Sequence, residues 1–135
     1  MIVLDVNAGV AMAQGAEEGK ALGDLILTGE EIIAPHFYLT EAANVAWKYV
    51  RAGQLDEEGS HIFLEAIVDL VDRFVPAEEI LIEALHLSIQ NNHPLYDMLY
   101  LSVARRNAAT LFTLDKKLRA ICESNGVNCI GMERL

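Results

Sequence analysis

The chain has 135 residues, 53% of them apolar, and a formal net charge of −10 from 20 acidic and 10 basic side chains. That is enough apolar material for one core of ordinary domain size, and no apolar run approaches the roughly 20 residues needed to cross a bilayer. The acidic balance excludes nucleic-acid binding by bulk charge, because phosphate is repelled over most of the surface; such a role needs a local basic patch, bound cations or a partner.

Residues Ile2 to Leu4 form a short apolar run that ends at Asp5, the pattern of a strand buried on both faces. The segment from Gly9 to about Thr28 holds one or two helices, weakened by Gly15, Gly19 and Gly23. Ile32, Ile33 and Ala34 read as a second strand, stopped by Pro35. A helix follows from about Phe37 to Ala52, with Tyr38, Ala42, Val45, Ala46 and Tyr49 on its apolar side and Glu41, Asn44 and Lys48 on another; Gly53 stops it. Residues 56–72 predict a further helix with Ile62, Phe63, Ala66, Ile67 and Leu70 as its apolar stripe.

Arg73 to Val75 is a third strand, and Glu78 to Gln90 is helical. The stretch from Asn91 to His93 breaks the chain, and Pro94 opens a helix that runs to about Arg106. Thr110 to Leu114 reads as a buried strand ending at Asp115, Lys116 to Ser124 as a helix, and Val127 to Ile130 as a last strand. This alternation of strands and helices predicts an α/β sandwich around a parallel sheet with right-handed crossovers. Sites in such sheets lie at the carboxyl ends of the strands, where both Asp5 and Asp115 fall. No linker, repeat or charge block divides the chain, so residues 1–135 are expected as a single domain. Cys122 and Cys129 are too few for a disulfide scaffold and read as reduced thiols. The amino-terminal segment lacks a basic start and is interrupted by Asp5, so it does not read as a signal peptide; a cytoplasmic protein with no membrane partner is expected.

Four acids carry the chemistry. Asp5 follows three apolar residues, and a desolvated carboxylate costs stability unless it is paired or bound to metal. Glu41 lies in the first half of its helix, beside the apolar stripe. Asp97 stands in the first turn of the helix opened by Pro94, between Tyr96 and Met98, and Asp115 ends a strand. Each has a local alternative: Asp5 and Asp115 as caps, Glu41 as a solvated side chain, and Asp97 as a complement to the helix dipole. Four carboxylates in one pocket cannot all stay ionised without counter-charge. Mg²⁺ or Mn²⁺ is the natural answer, since hard cations take oxygen ligands, and phosphodiester hydrolysis is the reaction class such a site suggests.

The ordered set resembles a PIN domain, in particular the small stand-alone PIN ribonucleases that act as toxins in VapBC-type toxin–antitoxin pairs. The resemblance covers essentially the whole chain and rests on MIVLDVN, IIAPHFYLTEAANVAWKYV, LYDMLYLSVARRNAATLFTLDKKL and a final short strand. The family pattern puts an Asp at the end of the first strand, a Glu on the helix after the second, an Asp in a Tyr-Asp helix start and an Asp after a Thr-x pair closing the fourth; these fall on Asp5, Glu41, Asp97 and Asp115. The resemblance implies a three-layer α/β/α sandwich with five parallel strands ordered 3-2-1-4-5, and Asp5 beside Asp115. It implies a Mg²⁺ or Mn²⁺ cofactor, cleavage of single-stranded or looped RNA, supporting roles for Asn7 and Thr113, a small antitoxin whose tail enters the acidic groove, and a homodimer. Val6 departs from the Thr or Ser common after the first Asp, which removes a hydroxyl from the surroundings of the site.

In that reading Asp5, Asp97 and Asp115 hold the metal, and Glu41 completes the set or positions the attacking water. Lys48, Arg51, Arg105, Arg106, Lys116, Lys117 and Arg119 could meet the RNA backbone, with Lys116 and Lys117 first because they directly follow Asp115. Trp47 and Tyr49 read as core or dimer packing, and Tyr96 and Tyr100 as core. His36, His61, His86 and His93 read as non-ligands, since no HExxH-like spacing exists. The main alternative is a catalytically weak or inactive PIN-like protein-interaction module, favoured by the net charge and Val6. A receiver-type phosphoacceptor lacks its paired acids here, and a haloacid-dehalogenase phosphatase would need DxD where Asp5-Val6-Asn7 stands.

Overall fold

The computed structural model describes residues 1–131; the last four residues of the expected domain, 132–135, lie outside the described residues. The elements run β1 (Ile2–Leu4), α1 (Val6–Gln14), α2 (Glu17–Asp24), β2 (Ile32–Pro35), α3 (Phe37–Arg51), α4 (Glu57–Val68), β3 (Arg73–Val75), α5 (Ala77–Asn91), α6 (Leu95–Asn107), β4 (Thr110–Phe112), α7 (Lys116–Ser124) and β5 (Cys129–Ile130). The strands form one parallel sheet in the order β3-β2-β1-β4-β5, as expected. Ile2 is in register with Ile32 on one side and Thr110 on the other, so β1 is the central strand.

β1 sits at the centre because all three of its residues are fully buried apolar side chains. Burying each such side chain contributes about 1.5–3 kcal/mol, which a solvated edge strand cannot collect. The helices pair off, α1 with α2, α3 with α4 and α5 with α6, and α6 also packs on β1, β2 and β4. That position explains why α6 is buried from Met98 through Ala104. Gly9 lets α1 approach α3: a side-chain carbon there would run into the ring of the fully buried Tyr38, whose hydroxyl donates to the Ile67 carbonyl at 2.7 Å.

The departures from expectation are local. The helix expected over 56–72 ends at Val68, and its apolar stripe is narrower than its periodicity suggested. Ile62 is 65% exposed and Ala66 is exposed, while Phe63, Leu64 and Ile67 face inward. Tyr49 meets Phe63 edge-on with ring centroids 5.2 Å apart, which fixes the side of α4 that turns toward α3. β4 stops at Phe112 rather than Leu114, because the Leu114 N–H turns away to the Asn7 side chain at 3.0 Å. β5 keeps only Cys129 and Ile130 of its four expected residues.

β1 and β4 are neighbours whose onward connections leave in opposite directions, one toward β2 and the other toward β5. The carboxyl ends of these strands form the topological switch point, where open α/β sheets leave a crevice.

Candidate active site

Asp5 leaves β1 at this crevice and is only 4% exposed. Its backbone N–H donates to the Phe112 carbonyl at 3.0 Å, fixing it beside the end of β4. Its side chain caps α1, with Oδ1 accepting from the Val6 N–H at 2.7 Å, and Oδ2 accepts from the Thr113 hydroxyl at 2.7 Å. Burial raises the Asp5 pKa from 3.8 to about 7 against the opposing bond from Thr113, and the charges of Glu41 and Asp97 raise it further. The carboxylate that caps α1 is thus also the one fastened to the end of β4 through Thr113.

Glu41 projects from the first half of α3, and its Oε1 accepts from the Tyr100 hydroxyl at 2.7 Å. Burial raises its pKa, the Tyr100 bond lowers it and Asp97 raises it. Tyr100 is fully buried on α6, and its phenol is pushed up by burial and by the carboxylates of Asp5 and Glu41, so it serves only as a donor. Asp97, in the first turn of α6, places Oδ2 2.6 Å from Nε2 of His93. Oε2 of Glu41 and Oδ1 of Asp97 accept no hydrogen bond among the described residues.

Asp115 caps α7, its Oδ1 accepting from Lys117 N–H at 2.8 Å and Leu118 N–H at 3.2 Å. Its own N–H donates to Thr113 Oγ1 at 3.1 Å, so one hydroxyl touches both strand-end acids. Asn7 closes the turn, its Oδ1 accepting from Leu114 N–H, with Nδ2 3.4 Å from Thr113 Oγ1. Glu41 and Asp97 are therefore close enough to add to the rise in the Asp5 pKa that burial causes, and Asp115 shares the Thr113 hydroxyl with Asp5. Among the described residues no three His, Cys, Asp or Glu side chains converge as a ready-made cage.

The donor chemistry fits a hard divalent cation. The donors are carboxylate oxygens, one whose proton affinity is raised by burial and then by neighbouring acids, two others held from one side with an oxygen left open; such cations keep several waters and take only one or two carboxylates directly.

Sequence reasoning missed two contributors. His93, read as a non-ligand, is hydrogen-bonded to Asp97, a contact that reading did not include; Tyr100, buried as expected, also donates to Glu41. Tyr100 stands three residues after Asp97 on α6, an offset that shares a helical face, whereas His93 precedes that helix, in the break before Pro94, and carried no such signal. Tyr96 is 59% exposed and stacks on Phe37 with centroids 4.9 Å apart, so it is not the core residue expected. Trp47 is likewise half-exposed, with the Arg51 guanidinium 5.4 Å from its ring. Arg106 is engaged by Glu83 at 3.7 Å and by the Glu79 carbonyl, which draws it to α5. Lys116 and Lys117 are both exposed beside Asp115.

Fold and site together define an α/β sandwich with an acidic centre at its switch point, the PIN-type arrangement. The profile of the PIN domain matches residues 2–124, and the chain belongs to that family. It is similar to ribonuclease VapC3 from Pyrobaculum aerophilum, 25% identical over 119 residues that cover 87% of this chain and 91% of the relative. Among solved structures it resembles PAE2754 from Pyrobaculum aerophilum, with a TM-score of 0.69 at 23% identity, covering 89% of this chain and 84% of that one. It also resembles VapBC2 from Rickettsia felis, solved with a DNA fragment from their promoter, with a TM-score of 0.68 at 18% identity, covering 96% and 98%.

Proposed function

We propose that this chain is a Mg²⁺- or Mn²⁺-dependent endoribonuclease, the toxin of a toxin–antitoxin pair. One observation carries the reading: a buried Asp5 whose proton affinity is raised by burial and by Glu41 and Asp97, at the switch-point crevice of a PIN fold. A buried carboxylate such as Asp5, hydrogen-bonded but facing other acids and no cation among the described residues, costs stability unless a function retains it. Similarity to a protein named ribonuclease VapC3 supports RNA as the substrate, and likeness to VapBC2 supports an antitoxin partner.

Asp5, Asp97 and Asp115 would hold the cation, with Glu41 beside them. The cation, when bound, supplies charge neutralisation at the phosphodiester and a more acidic water. Thr113, Tyr100 and His93 keep the carboxylates oriented. Glu41, with Oε2 open and its proton affinity raised by burial, would take the proton from the attacking water.

Two surfaces support the partner part of this reading. A cleft of about 390 Å³ between α3 and α4 has an apolar wall of Ala43, Ala46, Trp47, Val50 and Leu64 and a polar edge of Glu57, Ser60 and His61, a mixed surface suited to an amphipathic antitoxin segment. On α5, Ile82, Leu85 and Ile89 are 80%, 51% and 74% exposed at i, i+3 and i+7, an unpartnered face suited to a homodimer. No helix of the described residues is long and apolar enough to cross a membrane, and a cytoplasmic location goes with this reading.

The test is incubation with total RNA, with and without Mn²⁺, followed by mapping of the new ends. Discrete metal-dependent cuts, lost in Asp5→Asn and Asp97→Asn, are the expected result; cleavage that survives in both variants rules this centre out.

A further inference from the structure

A second cleft of about 390 Å³ opens beside the acidic centre. Its floor is one face of α1, made by Asn7, Val10, Ala11 and Gln14 at i, i+3, i+4 and i+7, and its opposite wall carries Leu114 and Lys116. Two constraints fix its position. Asn7 is bonded to the Leu114 N–H, so the cleft begins at the turn that joins the site's two strand ends. It also runs between α1, which follows β1, and the start of α7, which follows β4, so it flanks the switch-point crevice.

The lining mixes four apolar residues, Val10, Ala11, Ala16 and Leu114, with four polar or charged ones, Asn7, Gln14, Glu18 and Lys116. Lys116 is its cation and Glu18 its acid, so it is not a general trap for phosphate. Gln14 is held in place, its Nε2 donating to the Tyr49 hydroxyl at 2.9 Å. Such a lining suits a flat group with apolar faces and polar edges that carries one negative charge at its side. Pockets of this size commonly enclose ligands on the scale of a nucleotide; with no aromatic ring or Arg plane among the described residues of the lining, a base would be held here by aliphatic contact and amide edges and not by stacking.

We propose that this cleft seats one nucleotide of a single-stranded RNA next to the cleaved bond, with the base against Val10, Ala11 and Leu114 and a phosphate at Lys116. The assignment rests on the ribonuclease reading. It separates the two lysines that follow Asp115: Lys116 lines the cleft and Lys117 does not.

The test uses a fluorescein-labelled single-stranded RNA of mixed sequence and anisotropy, with Ca²⁺ in place of Mg²⁺ to keep the strand whole. Lys116→Ala should weaken binding about 5- to 10-fold and reduce the salt slope by about one. Ala16→Trp fills the cleft from the partly exposed start of α2 and should weaken binding comparably, with its melting temperature checked against the parent. Lys117→Ala should change affinity less than about twofold, as a solvated charge outside the contact does. If the parent chain holds no RNA, the ribonuclease reading fails and the cleft assignment with it. If the parent holds RNA and the Lys116 and Ala16 variants hold it equally, only the cleft assignment falls, and the surface is left for a protein partner.

Discussion

The Tyr100 hydroxyl donates to Oε1 of Glu41 at 2.7 Å across a separation of 59 residues, tying α6 to α3 at the acidic centre. Tyr100→Phe removes that donor and keeps the ring. Losing one buried hydrogen bond should cost about 1 kcal/mol of stability. Groups that orient ligating side chains typically change metal affinity by about 10-fold or more, so the midpoint of the Mn²⁺-linked rise in melting temperature should move to higher concentration by that factor. An unchanged midpoint would show that Tyr100 is packing alone.

Asp5 should make the metal-free chain less stable as pH rises. Its ordinary value is 3.8 and its folded value about 7. Between those limits the folded state keeps a proton that the unfolded chain has released, so stability falls as pH climbs through the window and levels off above it. Glu41, also raised, acts in the same direction. Each pKa unit corresponds to about 1.4 kcal/mol, so the window is worth a few kcal/mol at most. Asp5→Asn should flatten the melting-temperature profile and melt higher than the parent above neutrality by on the order of 5 °C.

Divalent cation should reverse that penalty. Saturating Mn²⁺ at about 100 times its dissociation constant adds about 2.7 kcal/mol to the folded state. Calorimetry should show a rise for the parent and none for Asp5→Asn. Equal rises in both would place the cation elsewhere.

His93 is predicted to orient Asp97, which lies 2.6 Å from its ring. His93→Ala should lower the rate of metal-dependent cleavage by about 10-fold while leaving the concentration dependence on RNA nearly unchanged. Steady-state kinetics on a defined oligonucleotide checks this; a change confined to KM would assign His93 to substrate contact instead.

The α5 face predicts a two-fold pair. An antiparallel arrangement about Leu85 keeps the acidic first turns, Glu78 and Glu79, at opposite ends of the seam. Ile82→Glu should convert a dimer to a monomer in sedimentation velocity without lowering the melting temperature of the monomer by more than about 0.5 kcal/mol equivalent. A chain that sediments as a monomer before substitution would end the dimer proposal.

Much of the fold was legible because a buried parallel strand writes itself as an unbroken apolar run, as at Ile2–Leu4, and because such runs end in the residues that line the crevice. That logic put Asp5 just past β1 and Asp115 in the turn after β4, where the structure has them. The bonds of Tyr100 and His93 were not legible, since a hydroxyl 59 residues from its acceptor leaves no local pattern and a histidine in a break looks like solvent-facing polarity. Ile62 was misplaced for a different reason. Helical periodicity offers several faces, and only the position of Tyr49 on the neighbouring helix decides which one turns inward. The end of β4 was overextended because strand length depends on a partner, and Asn7 captures the Leu114 N–H first.

Thr113 has only one hydroxyl proton, and its two acceptors compete for it: Asp5 at 2.7 Å and Asn7 at 3.4 Å. The shorter contact takes it, so the oxygen is left to receive the N–H of Asp115 and the Asn7 amide. A valine would match the size of this side chain but could neither give nor receive. Both strand ends would lose their shared fastening at once, and the turn between them would have to find its shape without it.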